Sequence, residues 1–403
     1  MVERLLQDYP KSTHWLAGTC KIDMTRLVRE IEKQLDCVVP RSSPGVPIVE
    51  LGRSNGVVLG ESRALVIDLV VRRTHVLFGG DLPASPSELV RGGFCDPVRI
   101  FVKQEPHSTK KRSLGKLRLI SSVSLVDQLV ERVLYSNQNR EEIAHWVICP
   151  SKPGMGLDDL SAELVRKGFE EKKNPGVLQT DLSGFDWSVK DWELELDCEA
   201  RRQLCGSSRG DAFDRLSRAR TWCVNRSVFC LSNGELYEQV EPGVQLSGCY
   251  TTSSSNSRIR VALAYLCGAS WAVAMGDDCV EDSRANVDLY SHYGHVVKDC
   301  LIEEGDVEFC STIFKSDGPV PKDCTKSLFR LLNQPQVTAE LLAQFFYEVR
   351  HSAQLMQLVE LISTHADVDS SLVSSIARSV QTLSATSLMS IGSKEPVDQM
   401  KPE

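Results

Sequence analysis

The chain reads as an α+β protein, and three observations carry that reading. Its composition, 42% hydrophobic and 25% charged over 403 residues, is that of a soluble globular chain with ample core. Helical periodicity recurs near both ends. Between them, residues 171–315 alternate short apolar strands with helices. No repeat at solenoid spacing, no Walker A and no G-x-G-x-x-G loop interrupts this pattern.

Taken in order, residues 22–36, IDMTRLVREIEKQLD, place Ile22, Leu27, Ile31 and Leu35 on one helical stripe. A turn-rich connector, PRSSPGVPIVELGRSNG, follows, and the apolar RALVIDLVV of 63–71 fits strand or helix. From about 125 to 146 a helix turns Leu125, Leu129, Val133 and Leu134 inward. Residues 336 to about 388 are helical with no strand signal, and the polar tail from 391, IGSKEPVDQMKPE, is expected to be disordered. The longest apolar stretch, Val261 to Met275, contains Gly268 and Ser270 and is too short to span a membrane. The start, MVERLLQDYPKSTHW, lacks the apolar core of a secretory signal. Fourteen scattered cysteines without a C-x-x-C pair read as reduced thiols in a cytosolic protein. A net charge of −8 argues against a generally basic nucleic-acid coat while leaving room for local patches.

The stretch WAVAMGDDCVED sets Asp277 and Asp278 side by side between apolar runs. Adjacent carboxylates repel and raise one another's pKa unless positive charge sits beside them. Gly-Asp alone is ordinary turn chemistry. A second acidic site, GVLQTDLSGFDWSV, changes its meaning: a short strand from Gly176 to Thr180 delivers Asp181, and Asp186 follows. Two strands that each end in an exposed carboxylate can hold a pair of divalent ions for in-line phosphoryl displacement. Between them, VQLSGCYTTSSSNSRIRVALAYL forms a loop at Ser247 and Gly248 and a helix from about Thr251. Gly248, Thr252 and Asn256 fall at i, i+4 and i+8 on one polar stripe, with Ile259, Ala262, Leu263 and Leu266 as the apolar anchor. Upstream, FVKQEPHSTKKRSLGKLRLIS sets Lys103, Lys110, Lys111, Arg112, Lys116 and Arg118 against the single acid Glu105. That segment suits triphosphate or RNA phosphates, and strand alternation sends Arg118 opposite to Leu117 and Leu119.

This order of a basic segment, D-x4-D, S-G-x3-T-x3-N and G-D-D resembles the palm of a viral RNA-dependent RNA polymerase, closest to the sobemovirus group, with polerovirus and barnavirus enzymes next. KPGMG (152–156), HVVKDC (295–300) and EFCSTIF (308–314) fit its loop, its motif-D lysine and its primer-grip hairpin. The resemblance implies a right hand closed by fingertips. Residues 1–170 form fingers and fingertips with the basic segment at 101–120. Residues 171–320 form an antiparallel-sheet palm with a fingers insertion near 190–240, and 321–390 form a helical thumb ahead of a disordered tail at 391–403. It also implies that Asp181 and Asp277 bind Mg2+, for which Mn2+ can substitute, with Asp278 assisting. Lys103, Lys116 and Arg118 would grip the triphosphate, while Asp186, Ser247, Gly248, Thr252 and Asn256 surround the nucleotide's ribose. Lys298 would protonate pyrophosphate. The partners implied are an RNA template and nascent strand, NTPs, a viral genome-linked protein and other replication proteins. Such a chain would come from a polyprotein and copy a positive-strand genome in the host cell cytoplasm, on membranes it does not span.

Three other readings compete on chemistry. A reverse transcriptase shares the acidic sites without needing Asp186 and Asn256 to read a 2′-hydroxyl. An RNA-binding or capsid-type protein uses the basic segment and leaves the acidic pairs without purpose. A metal-dependent phosphohydrolase uses the carboxylates and has no task for the ordered basic and Ser/Thr motifs.

Overall fold

The structure is a computed structural model and describes residues 1–103, 105, 109–174, 176–303 and 305–391. The polar tail beyond 391, expected to be disordered, lies outside the described residues. The chain divides into two compact units. The first comprises Met1–Gly154, Thr180–Cys279 and Ala285–Asp299; the second comprises Met155–Gln179, Val280–Arg284 and the chain from Cys300 onward.

In the first unit, the stripe at 22–36 becomes a helix at Met24–Leu35. Asp23 caps it, accepting from the Arg26 backbone N–H at 3.0 Å. Leu27, Ile31 and Leu35 are buried, and Ile22 packs beside them from outside the helix. The ambiguous 63–71 run lies inside a long helix, Asn55–Gly79, capped by Ser54 and kinked at Ser62. Val58, Val66, Val70 and Leu77 face inward from it at helical spacing. Helix Leu125–Ala144, capped by Ser124, buries Leu125, Leu129, Val133 and Leu134 against the other two. Each such aliphatic side chain contributes about 1.5–3 kcal/mol by leaving water.

The strands are β1 (Val98–Val102), β2 (Leu119–Ser122), β3 (Val177–Leu182), β4 (Val228–Cys230), β5 (Leu236–Glu238), β6 (Ala272–Met275), β7 (Asp278–Asp282), β8 (Val297–Glu303), β9 (Val307–Phe309), β10 (Thr312–Lys315) and β11 (Gly318–Pro321). They form sheets of order β2-β1-β4-β5, β6-β7-β3-β8 and β11-β10-β9. β1 and β2 are antiparallel, with Ile100 opposite Ser121 and Val102 opposite Leu119. The ladder runs on as the Lys103 N–H donates to the Arg118 carbonyl at 2.8 Å. A short helix, Thr109–Ser113, lies between these strands. Arg118 precedes β2, which begins at Leu119, and Leu117 and Leu119 on either side of it are 36% and 41% exposed.

In the second unit, helix Asp159–Glu170 sets Phe169 edge-on to Phe309 and Phe314 of the small sheet. The β9–β10 turn puts Cys310 and Ser311 at φ 53° and 58°, the paired left-handed geometry of a two-residue hairpin. The expected helical stretch forms Ala339–Glu348, Leu355–His365 and Ser370–Ile391 around Leu342, Phe346, Val349, Ile362 and Val373. Buried Arg350 pairs with Asp159 at 2.8 Å, tying this bundle to the unit's first helix. No helix of the described residues is long and apolar enough to cross a membrane.

Candidate active site

Every residue singled out from the acidic, basic and Ser/Thr motifs lies in the first unit. β3 and β7 are neighbours in the sheet, so Asp181 near the end of one strand and Asp278 at the start of the other share a sheet end. Asp181 sits within β3, which runs two residues further than the expected strand end at Thr180. Asp277 occupies the β6–β7 turn behind Gly276, whose φ of 64° suits a residue without a Cβ. The neighbouring strand β8 delivers Lys298, whose Nζ donates to the Asp181 carboxylate at 2.5 Å and pairs with Asp299 at 2.9 Å. Donating this hydrogen bond to Asp181 is the main cause that holds the Lys298 pKa above the usual lysine range.

Asp186 lies on the turn of helix Phe185–Ser188 that follows β3. Asn256 Nδ2 donates to its Oδ1 at 2.7 Å, joining the D-x4-D segment to the helix at Thr252–Leu266. Burial raises the Asp186 carboxyl above the ordinary aspartate range; the Asn256 hydrogen bond opposes this, Asp277 adds to it, and the Arg118 charge opposes it. Asp277 and Arg118 therefore act on the same carboxyl. Asn256 Oδ1 is buried and has no hydrogen-bond partner among the described residues.

The polar stripe begins later than its spacing implied. Gly248 lies in a turn ahead of the helix, which starts at Thr252. What Gly248 supplies is closeness: a Cβ there would fall 2.1 Å from the Ser121 carbonyl oxygen. Beside it, Ser247 Oγ accepts from the Ser121 N–H at 3.0 Å, and the Ser247 N–H donates to Ser121 Oγ at 3.2 Å. Glu131 holds the next turn by accepting from the Tyr250 N–H at 2.7 Å. The Thr252 hydroxyl donates to the Leu246 carbonyl at 2.7 Å, so it fastens the loop. Ser247 and Gly248 thus pin the loop to β2, the strand that follows Arg118, and Thr252 closes the loop on itself.

Among the basic residues, Arg118 and Lys103 both pair with Glu105, at 3.4 and 3.1 Å. Lys116 is exposed. Sequence reasoning passed over Ser121, Ser257 and Arg260. Ser257 Oγ accepts from the Gly276 N–H at 2.9 Å, and Arg260 donates to the Asp277 carbonyl at 3.1 Å. The available signal was two arginines, Arg258 and Arg260, within an otherwise apolar half-helix.

Asp181, Asp277 and Asp278 offer only carboxylate oxygens, the donors that Mg2+ takes. That donor set fits the ion chemically. Among the described residues, no three His, Cys, Asp or Glu side chains are gathered closely enough to hold a metal. The Lys298 ammonium on Asp181 supplies positive charge there instead.

Comparison with known proteins gives a consistent picture. The family model for viral RNA-directed RNA-polymerase matches residues 11–311. The chain is 39% identical over 370 residues to the RNA-directed RNA polymerase of mushroom bacilliform virus, covering 86% of this chain and 88% of that protein. It is 44% identical over 345 residues to replicase polyprotein P2AB of cocksfoot mottle virus, covering 81% of this chain and 36% of the polyprotein. With Protein P1-P2 of potato leafroll virus it shares 40% identity over 359 residues, 83% of this chain and 33% of that one. The chain therefore spans about a third of the two longer proteins. In structure it is similar to a sicinivirus 3Dpol RNA dependent RNA polymerase, with a TM-score of 0.64 and 15% identity over 96% of this chain and 80% of that one. That likeness is one of fold.

Proposed function

The chain belongs to the viral RNA-directed RNA polymerases and has their right-hand fold, and from that premise we propose that it extends an RNA 3′-hydroxyl with ribonucleotides on an RNA template. The observation that carries the proposal is the placement, in one unit, of Asp181, Asp277 and Asp278 with the part-buried Asp186–Asn256 pair. The 3′-oxygen forms a bond to the α-phosphorus of an NTP, the bond to the β-phosphate oxygen breaks, and pyrophosphate leaves. Asp181, Asp277 and Asp278 would hold Mg2+, or Mn2+ in its place. Divalent ions there would supply the Lewis acidity that lowers the hydroxyl's pKa and steadies the triphosphate.

The chain's own groups do the rest. Lys103, Lys116 and Arg118 would meet the triphosphate, with Glu105 holding two of them beside one another. The loop of Ser247 and Gly248, closed on β2, would keep that grip in register with Asn256. Lys298 keeps its proton while paired with Asp181; released from that carboxylate, it would hand the proton from Nζ to the departing pyrophosphate. In domain terms, fingers at 1–170, a palm at 171–320 and a thumb at 321–390 fit these roles. The setting proposed is replication of a positive-strand viral genome in the host cytoplasm, alongside a genome-linked protein and other replication proteins.

The test is incubation of the purified chain with an RNA template, labelled NTPs and Mg2+. Template-dependent RNA product supports the proposal. Phosphate release without elongation points to a phosphohydrolase, and binding without turnover points to an RNA-binding protein.

A further inference from the structure

Arg260 lies on the helix Thr252–Leu266 with its side chain fully buried. Its Nη2 donates to the Thr180 carbonyl at 3.2 Å and to the Thr180 hydroxyl at 2.7 Å. Its Nε donates to the Asp277 carbonyl at 3.1 Å. One planar guanidinium therefore joins the residue before Asp181 to the backbone of Asp277. One turn earlier on the same helix, Ser257 holds the Gly276 N–H. The rings of Phe185 and Tyr290 lie 5.7 and 5.2 Å from the guanidinium carbon and are themselves buried. A buried charge is costly, and an apolar side chain would fill the same volume. What only arginine supplies is a rigid fork that reaches β3 and the β6–β7 turn at once.

We propose that Arg260 is a positioning residue that fixes the separation of Asp181 and Asp277 and, through it, the preference of the carboxylate site for Mg2+ over the larger Mn2+. The inference rests on those carboxylates being the metal ligands. Mg2+ demands near-ideal octahedral geometry, so it suffers most when the two carboxylates drift. Manganese accepts the same carboxylate oxygens, and a loosened pair penalises it less. Ser257 acts in the same direction with a single hydrogen bond.

The experiment titrates the purified chain with Mn2+, reads free Mn2+ by electron paramagnetic resonance, and then displaces bound Mn2+ with Mg2+. Arg260→Lys keeps the charge and loses the fork. It should lower the Mg2+-to-Mn2+ affinity ratio about tenfold, while Ser257→Ala lowers it about threefold. The activity optimum in Arg260→Lys should move toward Mn2+ in parallel. Asp181→Asn serves as the reference, because it tests the ligand assignment separately. Where Asp181→Asn removes Mn2+ binding and Arg260→Lys leaves the ratio unchanged, or weakens both ions equally, the inference about Arg260 is overturned and the site stands. Where Asp181→Asn leaves Mn2+ binding intact, the ligand assignment fails and the inference falls with it. If Arg260→Lys does not fold, Ser257→Ala decides: a ratio shifted toward Mn2+ supports the proposal and an unchanged one overturns it.

Discussion

Replacing Asn256 with alanine should lower discrimination between ribo- and deoxyribonucleotides by a larger factor than it lowers the rate with a ribonucleotide. Asp186 and Asn256 suit a hydroxyl that both donates and accepts, yet here they spend part of that capacity on each other through the 2.7 Å hydrogen bond. The atom left over is Asn256 Oδ1, buried and without a partner among the described residues. Leaving a buried acceptor unpaired costs about 1–3 kcal/mol. A ribose 2′-hydroxyl donating to it recovers that cost, and a deoxyribose does not. The wild type should therefore favour the ribonucleotide by at least a factor of about ten to a hundred from this contact alone. Asn256→Ala removes that acceptor, so the factor this contact supplies is lost while Asp186 stays in place. The assay is kcat/KM for matched ribo- and deoxynucleotides on one RNA template, wild type against variant, with circular dichroism to verify folding. An unchanged ratio in a folded variant would refute the reasoning. A wild type that prefers deoxynucleotides would favour a reverse transcriptase.

Further tests separate the basic segment and the stability of the first unit. Arg118→Ala should raise KM for nucleotides more than it weakens template binding, since its charge acts on Asp186 beside the carboxylates. Neutralising Lys110, Lys111 and Arg112 together should instead weaken RNA binding and flatten its salt dependence; identical losses in both variants would contradict that division. Burial lowers the pKa of His14 from 6.5 to about 4, against the pull of its hydrogen bond to the Val133 carbonyl. The unfolded chain takes up this proton first, so the stability His14 confers is complete above pH 6.5 and is lost as pH falls toward 4. The loss amounts to about 3 kcal/mol. His14→Gln should flatten urea midpoints across that window, and an unaltered pH dependence would show that other groups govern it.

The helices were legible because their apolar spacing is unambiguous: Leu27, Ile31 and Leu35 could face only one way. The run at 63–71 was not, since a continuous apolar stretch fits either period, and only its place within Asn55–Gly79 decides it. At the site, the acidic residues could be read from their order along the chain. The loop at Ser247 and Gly248 and the helix start near Thr251 were legible, whereas the close approach of Gly248 to the Ser121 carbonyl was not, because it depends on a strand distant in sequence. Ser121, Ser257 and Arg260 act by gripping backbone groups of other segments, and a backbone N–H or carbonyl has no side-chain signature. The Lys298–Asp181 pair was equally hidden, since strand order alone brings β8 beside β3.

The central claim is that the carboxylates on β3 and the β6–β7 turn perform nucleotidyl transfer, and Asp277→Asn tests it most directly. The measurement is addition of a single labelled ribonucleotide to a primed RNA template in Mg2+ by wild type and variant, with thermal melting of both in the absence of metal. Removing one carboxylate relieves its repulsion on Asp278 and leaves intact the Asp277 backbone carbonyl that Arg260 holds. The variant should therefore melt at the same temperature or slightly higher, and nucleotide addition should be abolished. A folded Asp277→Asn protein that extends the primer at a near-normal rate would contradict the assignment.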